Sequence, residues 1–206
     1  VLMAWYPGQQ GGLAISEIVT GKISPSGKLP ISIEKTFADN PVSETYYENV
    51  DRIRTPNINP YSRVEYREGL YVGYRGYEKN NVKPLFPFGF GLSYTTFEYG
   101  KATLNGDQIT IAVTNTGNRA GQEVVQLYVS DSKASVVRPK KELKGFSKVA
   151  LQPGETKQVT FTITPEMLAF FDAEAHEWVT EAGQFVLHIA SSSADIQASV
   201  PYMYNK

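Results

Sequence analysis

The sequence predicts a mostly β chain, an antiparallel β-sandwich over residues 97–206 preceded by a partial α/β segment. Three observations carry this. After Phe97, apolar and polar residues alternate in about seven short runs separated by Asn-, Gly- and Pro-containing turns. Glycine, proline and tyrosine are plentiful, at 17, 12 and 13 of 206 residues, and no sustained 3.6-residue period crosses this region. Ahead of it, the first 33 residues read as strand, helix, strand, the order of an α/β layer.

Residues 1–5 (VLMAW) form a short apolar run, as in a strand buried on both faces. Pro7, Gly8, Gly11 and Gly12 break it into a turn. Leu13, Ala14, Ile18 and Val19 then recur at helical spacing, with Gly21 where a helix-ending glycine belongs. After the turn at residues 24–27, Leu29, Ile31 and Ile33 alternate and suggest a second strand. One strand and one helix cannot enclose a core, so the partners of this unit are expected outside the chain, with apolar faces within residues 1–19 left bare. Residues 36–67 are polar, carry Pro41, Pro56 and Pro60, and read as a connector. Residues 69–79, with Leu70, Val72 and Tyr74 alternating, predict an extended strand or hairpin arm. Residues 84–92 (PLFPFGFGL) cannot be regular helix, and their phenylalanines need cover, so a loop pinned on a neighbouring surface is expected.

The sandwich strands are read from Ile109, Ile111 and Val113; from Val125, Leu127 and Val129; from Phe146 and Val149; from Val159, Phe161 and Ile163; from Glu177 to Thr180; from Phe185, Leu187 and Ile189; and from Ile196, Ala198 and Val200. The turns fall at residues 115–118, 152–155 and 182–183. Seven strands in about 100 residues fit an immunoglobulin or fibronectin III-like sandwich. About three inward side chains per strand, each contributing ~1.5–3 kcal/mol, suffice for a core of its own. The expected division is residues 1–35, tail of an α/β sandwich domain; 36–96, connector with a β-arm and aromatic loop; and 97–206, the β-sandwich.

A formal net charge of −1 argues against a nucleic-acid binder. The absence of cysteine excludes disulfides, thiolate catalysis and Cys-type zinc sites, without fixing a compartment. No apolar run is long enough to span a bilayer.

Five motifs resemble glycoside hydrolase family 3, in order and over almost the whole chain. Residues 4–12 (AWYPGQQGG) resemble its AWYPGQEGG segment, and residues 24–30 (SPSGKLP) its NPSGKLP turn. Residues 66–77 (YREGLYVGYRGY) are similar to its YxEGxxVGYR strand, and residues 85–97 (LFPFGFGLSYTTF) to PLFPFGHGLSYTTF. Residues 126–129 (QLYV), with Arg138, Pro139 and residues 143–146 (LKGF), are similar to its C-terminal fibronectin-like domain. Gln10 stands where the family has glutamate, and Phe90 where histidine is common.

The resemblance implies a parent enzyme that hydrolyses β-glycosidic bonds, terminal β-D-glucosyl or related, with retention. Two carboxylates about 5–5.5 Å apart do this, one as nucleophile and one as acid/base. In the family the nucleophile is an aspartate on an N-terminal barrel and the acid/base generally a glutamate upstream of the AWYPGQ segment. Neither position lies within this chain, so no catalytic residue is assigned, and the chain alone is expected to be inactive. The implied partners are the upstream catalytic domains and a β-linked oligosaccharide or glycoside. No cofactor, metal or nucleic acid is implied, and a periplasmic or secreted parent is compatible. The alternative is a carbohydrate- or protein-binding β-sandwich module with no enzymatic role, marked by a strip of exposed Tyr or Trp on one sheet. A weaker one, a purely adhesive domain, leaves residues 1–33 without a place.

The glycines near Pro7 lack the spacing and lysine of a phosphate cradle. Glu68, within a family motif, reads as a structural hydrogen-bonding group beside Glu65 rather than a proton donor. Asp172, Glu174, Glu177 and Glu181 read as solvated surface. His176 and His188 make a weak metal pair, and alternation turns His188 outward. Arg138, Lys140, Lys141, Lys144 and Lys148 form a basic stretch, an exposed loop rather than a polyanion site, with Leu143 and Phe146 anchoring it to the core. Trp5, Tyr6, Tyr46, Tyr47, Tyr61 and Tyr66 are candidate sugar-stacking rings should the connector approach a catalytic cleft.

Overall fold

The computed structural model of the chain describes residues 1–46 and 66–205. Among them, ten strands build the β region: β1 (Phe97–Tyr99), β2 (Thr103–Asn105), β3 (Gln108–Asn115), β4 (Gly121–Ser130), β5 (Glu142–Leu151), β6 (Thr156–Thr162), β7 (Phe170–Asp172), β8 (Glu177–Val179), β9 (Gly183–Ser192) and β10 (Asp195–Tyr204). In one sheet β3 is central: β1 and β2 pair with successive stretches of one edge, and β6 with the other. The second sheet runs β10-β9-β4-β5, all antiparallel. The core between them holds Ile109, Ile111, Val113, Val125, Leu127, Val129, Val159, Phe161, Phe185, Leu187 and Ile189, the alternating positions of the sequence pattern. Short elements went unread: β1, β2, β7, and a one-turn helix, Pro165–Leu168, with Pro165 at its start.

Phe146 does not anchor the core. It is 70% exposed. Val149 packs on the core and Leu151 lies in it, so Phe146, Lys148 and Ala150 face away from it. A three-residue spacing cannot put Phe146 and Val149 on one face of a strand. Leu127 pairs with Gly145 and Tyr128 with Leu143, which leaves Lys144 as an extra residue, a β-bulge.

Helix α1 (Gly11–Val19) forms as the spacing predicts. Gly21, at φ 75°, ends it, and its N–H donates to the Ile18 carbonyl at 2.9 Å. Two sandwich-side groups hold that terminus: the Tyr94 hydroxyl donates to Ile18 O at 3.0 Å and Arg119 Nη1 to Gly21 O at 2.8 Å. Residues 1–5 are not a strand. Among the described residues no element pairs with them, and Leu2, Met3 and Trp5 are exposed. An extended run becomes a strand only where a neighbour takes up its backbone groups.

The expected strand at Leu29–Ile33 is realised as a short antiparallel contact with the aromatic loop. Ile33 bridges Phe86, Leu29 N donates to Phe90 O at 2.8 Å, and Gly89 N to Leu29 O at 2.8 Å. Pro30 and Pro87 lack the N–H groups that would extend it. A 3₁₀ turn (Phe37–Asp39) and helix α2 (Ser43–Tyr46) follow.

The predicted arm at residues 69–79 is a correction. Leu70 and Val72 face solvent, Gly73 turns the chain at φ 59°, and Tyr74–Lys79 is a helix, α3. Its buried side carries Gly76 and Tyr77, and the Tyr77 hydroxyl donates to Glu34 Oε2 at 3.2 Å. The alternation stops at the glycine, and Tyr74, Tyr77 and Glu78 then follow helical spacing. Among the described residues no helix is long and apolar enough to cross a membrane.

Candidate functional site

The outer face of β4 and β9 is where residues 74–91 meet the sandwich, and it is covered. Strand β4 is buried from Val125 to Val129 without interruption, so Gln126 and Tyr128, on the outer side, are as enclosed as the core residues between them. A buried side-chain amide needs partners. Gln126 Nε2 donates to Gly89 O at 3.1 Å and Ser191 O at 2.7 Å, and its Oε1 accepts from the Tyr128 hydroxyl at 2.6 Å. Gly89 has φ 79°, and a Cβ there would lie 2.2 Å from Gln126 Oε1. Only glycine lets the loop settle on the amide. Burial raises the Tyr128 hydroxyl pKa far above that of free tyrosine, with Tyr74 and Glu78 adding to it.

Aromatic packing completes this seam. Tyr74 of α3 stacks on Phe88, with centroids 5.1 Å apart, and meets Tyr128 edge-on at 5.9 Å. Its hydroxyl oxygen accepts from Leu143 N at 2.9 Å, capping the start of β5. The aromatic loop is therefore pinned, as expected, on the sheet itself.

A second tie is ionic. Lys28 Nζ lies 2.9 Å from Glu123 Oε1 and donates to Gly91 O at 3.1 Å. The two side chains are 13% and 7% exposed. Glu123 also accepts from the Tyr99 hydroxyl at 3.1 Å. Burial, followed by Glu123, holds that phenol protonated well above its ordinary range.

The basic stretch is spent on the same seam. Arg138 Nη2 donates to Glu142 Oε2 at 2.7 Å and Nη1 to Leu168 O at 2.7 Å, with Asp131 3.5 Å away. Arg75 of α3 reaches Glu142 Oε1 at 3.3 Å, Lys141 pairs with Glu78, and Lys140 Nζ donates to Asn81 Oδ1 at 2.6 Å. Lys144, on the bulge, lies 3.8 Å from Glu142. Burial lowers its pKa, Glu142 opposes that, and Arg138 and Arg75 add to the lowering. Three of the five cations, Arg138, Lys140 and Lys141, thus brace residues 78–81 or the base of β7 rather than await a polyanion. The pattern in the sequence showed the charges but not their partners.

The remaining candidates scatter. Tyr6 is 99% exposed, and Trp5 and Tyr66 also face solvent. Tyr47, Tyr61, Glu65 and the side chain of Tyr46 lie outside the described residues. Glu68 closes a turn through its carbonyl, which accepts from Tyr71 N at 2.9 Å. It lines a shallow open depression with Glu44, Arg67, Tyr71 and Lys79, where Lys79 Nζ sits 3.9 Å over the Tyr71 ring. His188 joins Ser130 through Nε2 and Ser199 through Nδ1, both at 2.8 Å, while His176 is on the β7–β8 turn. Burial, and then Lys141, lower the His188 pKa. Asp172, Glu174, Glu177 and Glu181 are at the surface, Asp172 and Glu181 bonding backbone N–H groups of Glu174, Ala175 and Ser135. Among the described residues no group of three or more His, Cys, Asp or Glu side chains is placed to hold a metal.

Comparison with known proteins gives this seam a context. Residues 1–94 match the glycosyl hydrolase family 3 C-terminal domain, and residues 123–193 a fibronectin type III-like domain. A β-glucosidase of Bacteroides ovatus is 45% identical over 99% of this chain and 27% of its own length. Thermostable β-glucosidase B of Acetivibrio thermocellus is 42% identical over 95% of the chain and 26% of its own. Among solved structures, β-glucosidase 3B from Thermotoga neapolitana, in complex with glucose, superposes with a TM-score of 0.85 at 35% identity, over 99% of this chain and 28% of that one. A Bifidobacterium adolescentis β-glucosidase gives 0.83 at 37%, over 97% and 29%. The chain thus spans about a quarter of the length of the curated relatives it matches. With both domain matches consecutive, and such relatives aligned from end to end of it, the chain belongs to glycoside hydrolase family 3 and corresponds to that family's C-terminal region.

Proposed function

We propose that the chain works as the C-terminal part of a retaining β-glycosidase acting on terminal β-D-glucosyl or related residues, and that it carries structure rather than the catalytic carboxylates. Residues 1–35 then complete an α/β sandwich domain, 36–96 connect, and 97–206 form the fibronectin III-like brace. The observation that carries this reading is the apolar set left open on the first segment: Leu2, Met3, Trp5, Leu13, Val19, Ile23 and Ile31. Each contributes ~1.5–3 kcal/mol when fully covered, so this surface favours docking on further elements. The seam fixes that segment to the sandwich, and a rigid mount matters because displacing catalytic groups by about 1 Å can slow a reaction about 100-fold. Glucose as the sugar rests on the relatives, which are named β-glucosidases.

The test compares the 206-residue chain with a protein carrying the upstream family 3 domains in front of it, on an aryl β-glucoside. The chain alone releases no chromophore, and the longer protein does so with the β-anomer as first product. Turnover by the chain alone, or none by the longer protein, refutes the reading. A sheet-borne binding strip finds no support: among the described residues neither main sheet carries an exposed Tyr or Trp.

A further inference from the structure

The β7–β8 hairpin belongs to neither main sheet and plays no part in the seam's aromatic packing. Its register pairs Phe170 with Val179, Phe171 with Trp178, and Asp172 with Glu177. Phe170 and Val179 are half-buried, and period two turns Phe171 and Trp178 outward together, 50% and 71% exposed. The two rings meet edge-on, with centroids 5.7 Å apart. The base is firm: Arg138 donates to Leu168 O at 2.7 Å and Ala169 O at 3.3 Å, and the Thr180 hydroxyl to Pro165 O at 2.8 Å. The tip is closed by Asp172 Oδ1, which accepts from Glu174 N and Ala175 N. An exposed aromatic pair held at both ends needs a reason, because such rings are ordinarily covered.

The charge around the pair narrows what it meets. Residues 170–182 contain Asp172, Glu174, Glu177 and Glu181 and no Lys or Arg. Phosphate-bearing ligands, nucleic acid and anionic lipid are repelled. The negative face of an indole attracts electropositive C–H groups, and free carboxylate oxygens accept hydroxyl donors. A β-linked glucopyranose presents both: its ring substituents are equatorial, so its axial C–H groups form flat faces, and its hydroxyls ring the edge.

We infer that Trp178, braced edge-on by Phe171, forms a stacking platform for neutral β-linked gluco-oligosaccharide. The choice of a sugar over a cationic peptide rests on the glycosidase reading above.

The test is affinity electrophoresis of the 206-residue chain through native gels containing a soluble neutral β-glucan, with α-linked starch as control and tetralysine as competitor. Retardation is expected in β-glucan, with at least a fivefold rise in the apparent dissociation constant for Trp178→Ala and a smaller rise for Trp178→Phe. Trp178 is exposed, and circular dichroism matching the parent chain checks that the variants fold. Unretarded parent chain, equal retardation of Trp178→Ala, equal retardation in starch, or abolition of binding by tetralysine overturns the platform. The outcomes separate from the previous test: a longer protein that hydrolyses aryl glucoside while the chain ignores β-glucan sinks the platform alone, and a longer protein without turnover sinks the glycosidase reading.

Discussion

Replacing Lys28 by Met tests the seam at an enclosed charge. Lys28 and Glu123 lie 2.9 Å apart with 13% and 7% of their side chains exposed. Methionine keeps most of the aliphatic length but strands the Glu123 carboxylate with the Tyr99 hydroxyl as its remaining side-chain donor, and it also removes the bond to Gly91 O. Breaking a buried pair from one side costs about 3–5 kcal/mol, because the surviving charge has lost both water and counter-charge. Native domains have ~5–15 kcal/mol in total, so the loss is a large share of the margin. With a urea slope of ~1–3 kcal/mol/M, the midpoint falls by about 1–5 M. The assay is urea unfolding followed by far-ultraviolet circular dichroism. The companion variant Lys28→Met/Glu123→Gln removes the stranded charge while keeping an acceptor for Tyr99, and it regains at least about 1 kcal/mol over Lys28→Met. A single variant that loses less than about 1 kcal/mol, or a double variant no more stable than the single, refutes the claim that an ion pair ties the SPSGKLP turn to the sandwich.

Gly91→Ala is expected to lower the same midpoint by more than 1 M, since a Cβ there lies 2.1 Å from the Gly27 carbonyl oxygen, a backbone atom that cannot swing aside. Phe146→Ser changes stability by no more than about 0.5 kcal/mol, because the ring is 70% exposed; a loss of 2 kcal/mol or more restores the anchoring role expected from the sequence. At alkaline pH, burial and the Asp107 hydrogen bond push the Tyr202 pKa up to about 12. The folded chain therefore holds a proton that the unfolded chain loses near pH 10. The stabilisation is complete below pH 10 and declines by about 1.4 kcal/mol per unit from there towards 12, and Tyr202→Phe flattens that slope. At acid pH the sign reverses for His188, whose pKa is lowered by burial and Lys141. The unfolded chain then binds the extra proton, so stability falls as pH drops below about 6.5, and His188→Gln removes that part of the slope.

The sandwich was legible because its pattern is period two repeated over half the chain. Ile109, Ile111 and Val113, then Leu187 and Ile189, announce an inner face, and the structure buries each of them. The failures share a different origin. Residues 1–5 are apolar enough for a strand, yet a strand is a relation between two segments, and none of the described residues pairs with them. Residues 70–74 alternate correctly for two steps, but one glycine at φ 59° redirects the chain into a helix. Lys144 shifts β5 by one residue, and no composition marks a bulge in advance.

The seam was less legible than the core for a reason of chemistry rather than pattern. Gln126 and Tyr128 alternate with Val125 and Leu127, which is the reading of a sheet with one wet face, while Glu123 stands in line with the core residues. Their burial depends on residues 74–91, some forty positions earlier, and on Lys28, nearly a hundred earlier. Each polar group is matched to one partner: Gln126 to the Gly89 carbonyl, Glu123 to Lys28, and Arg75 and Arg138 to Glu142. A hydrophobic cover would hold as firmly but would accept several registers. Paired charges and a satisfied amide reject a slipped loop, because any shift leaves a buried polar atom without its partner. The polar seam therefore sets where Lys28 and residues 74–91 sit on the sandwich, while the core between the two sheets sets how firmly the sandwich holds them.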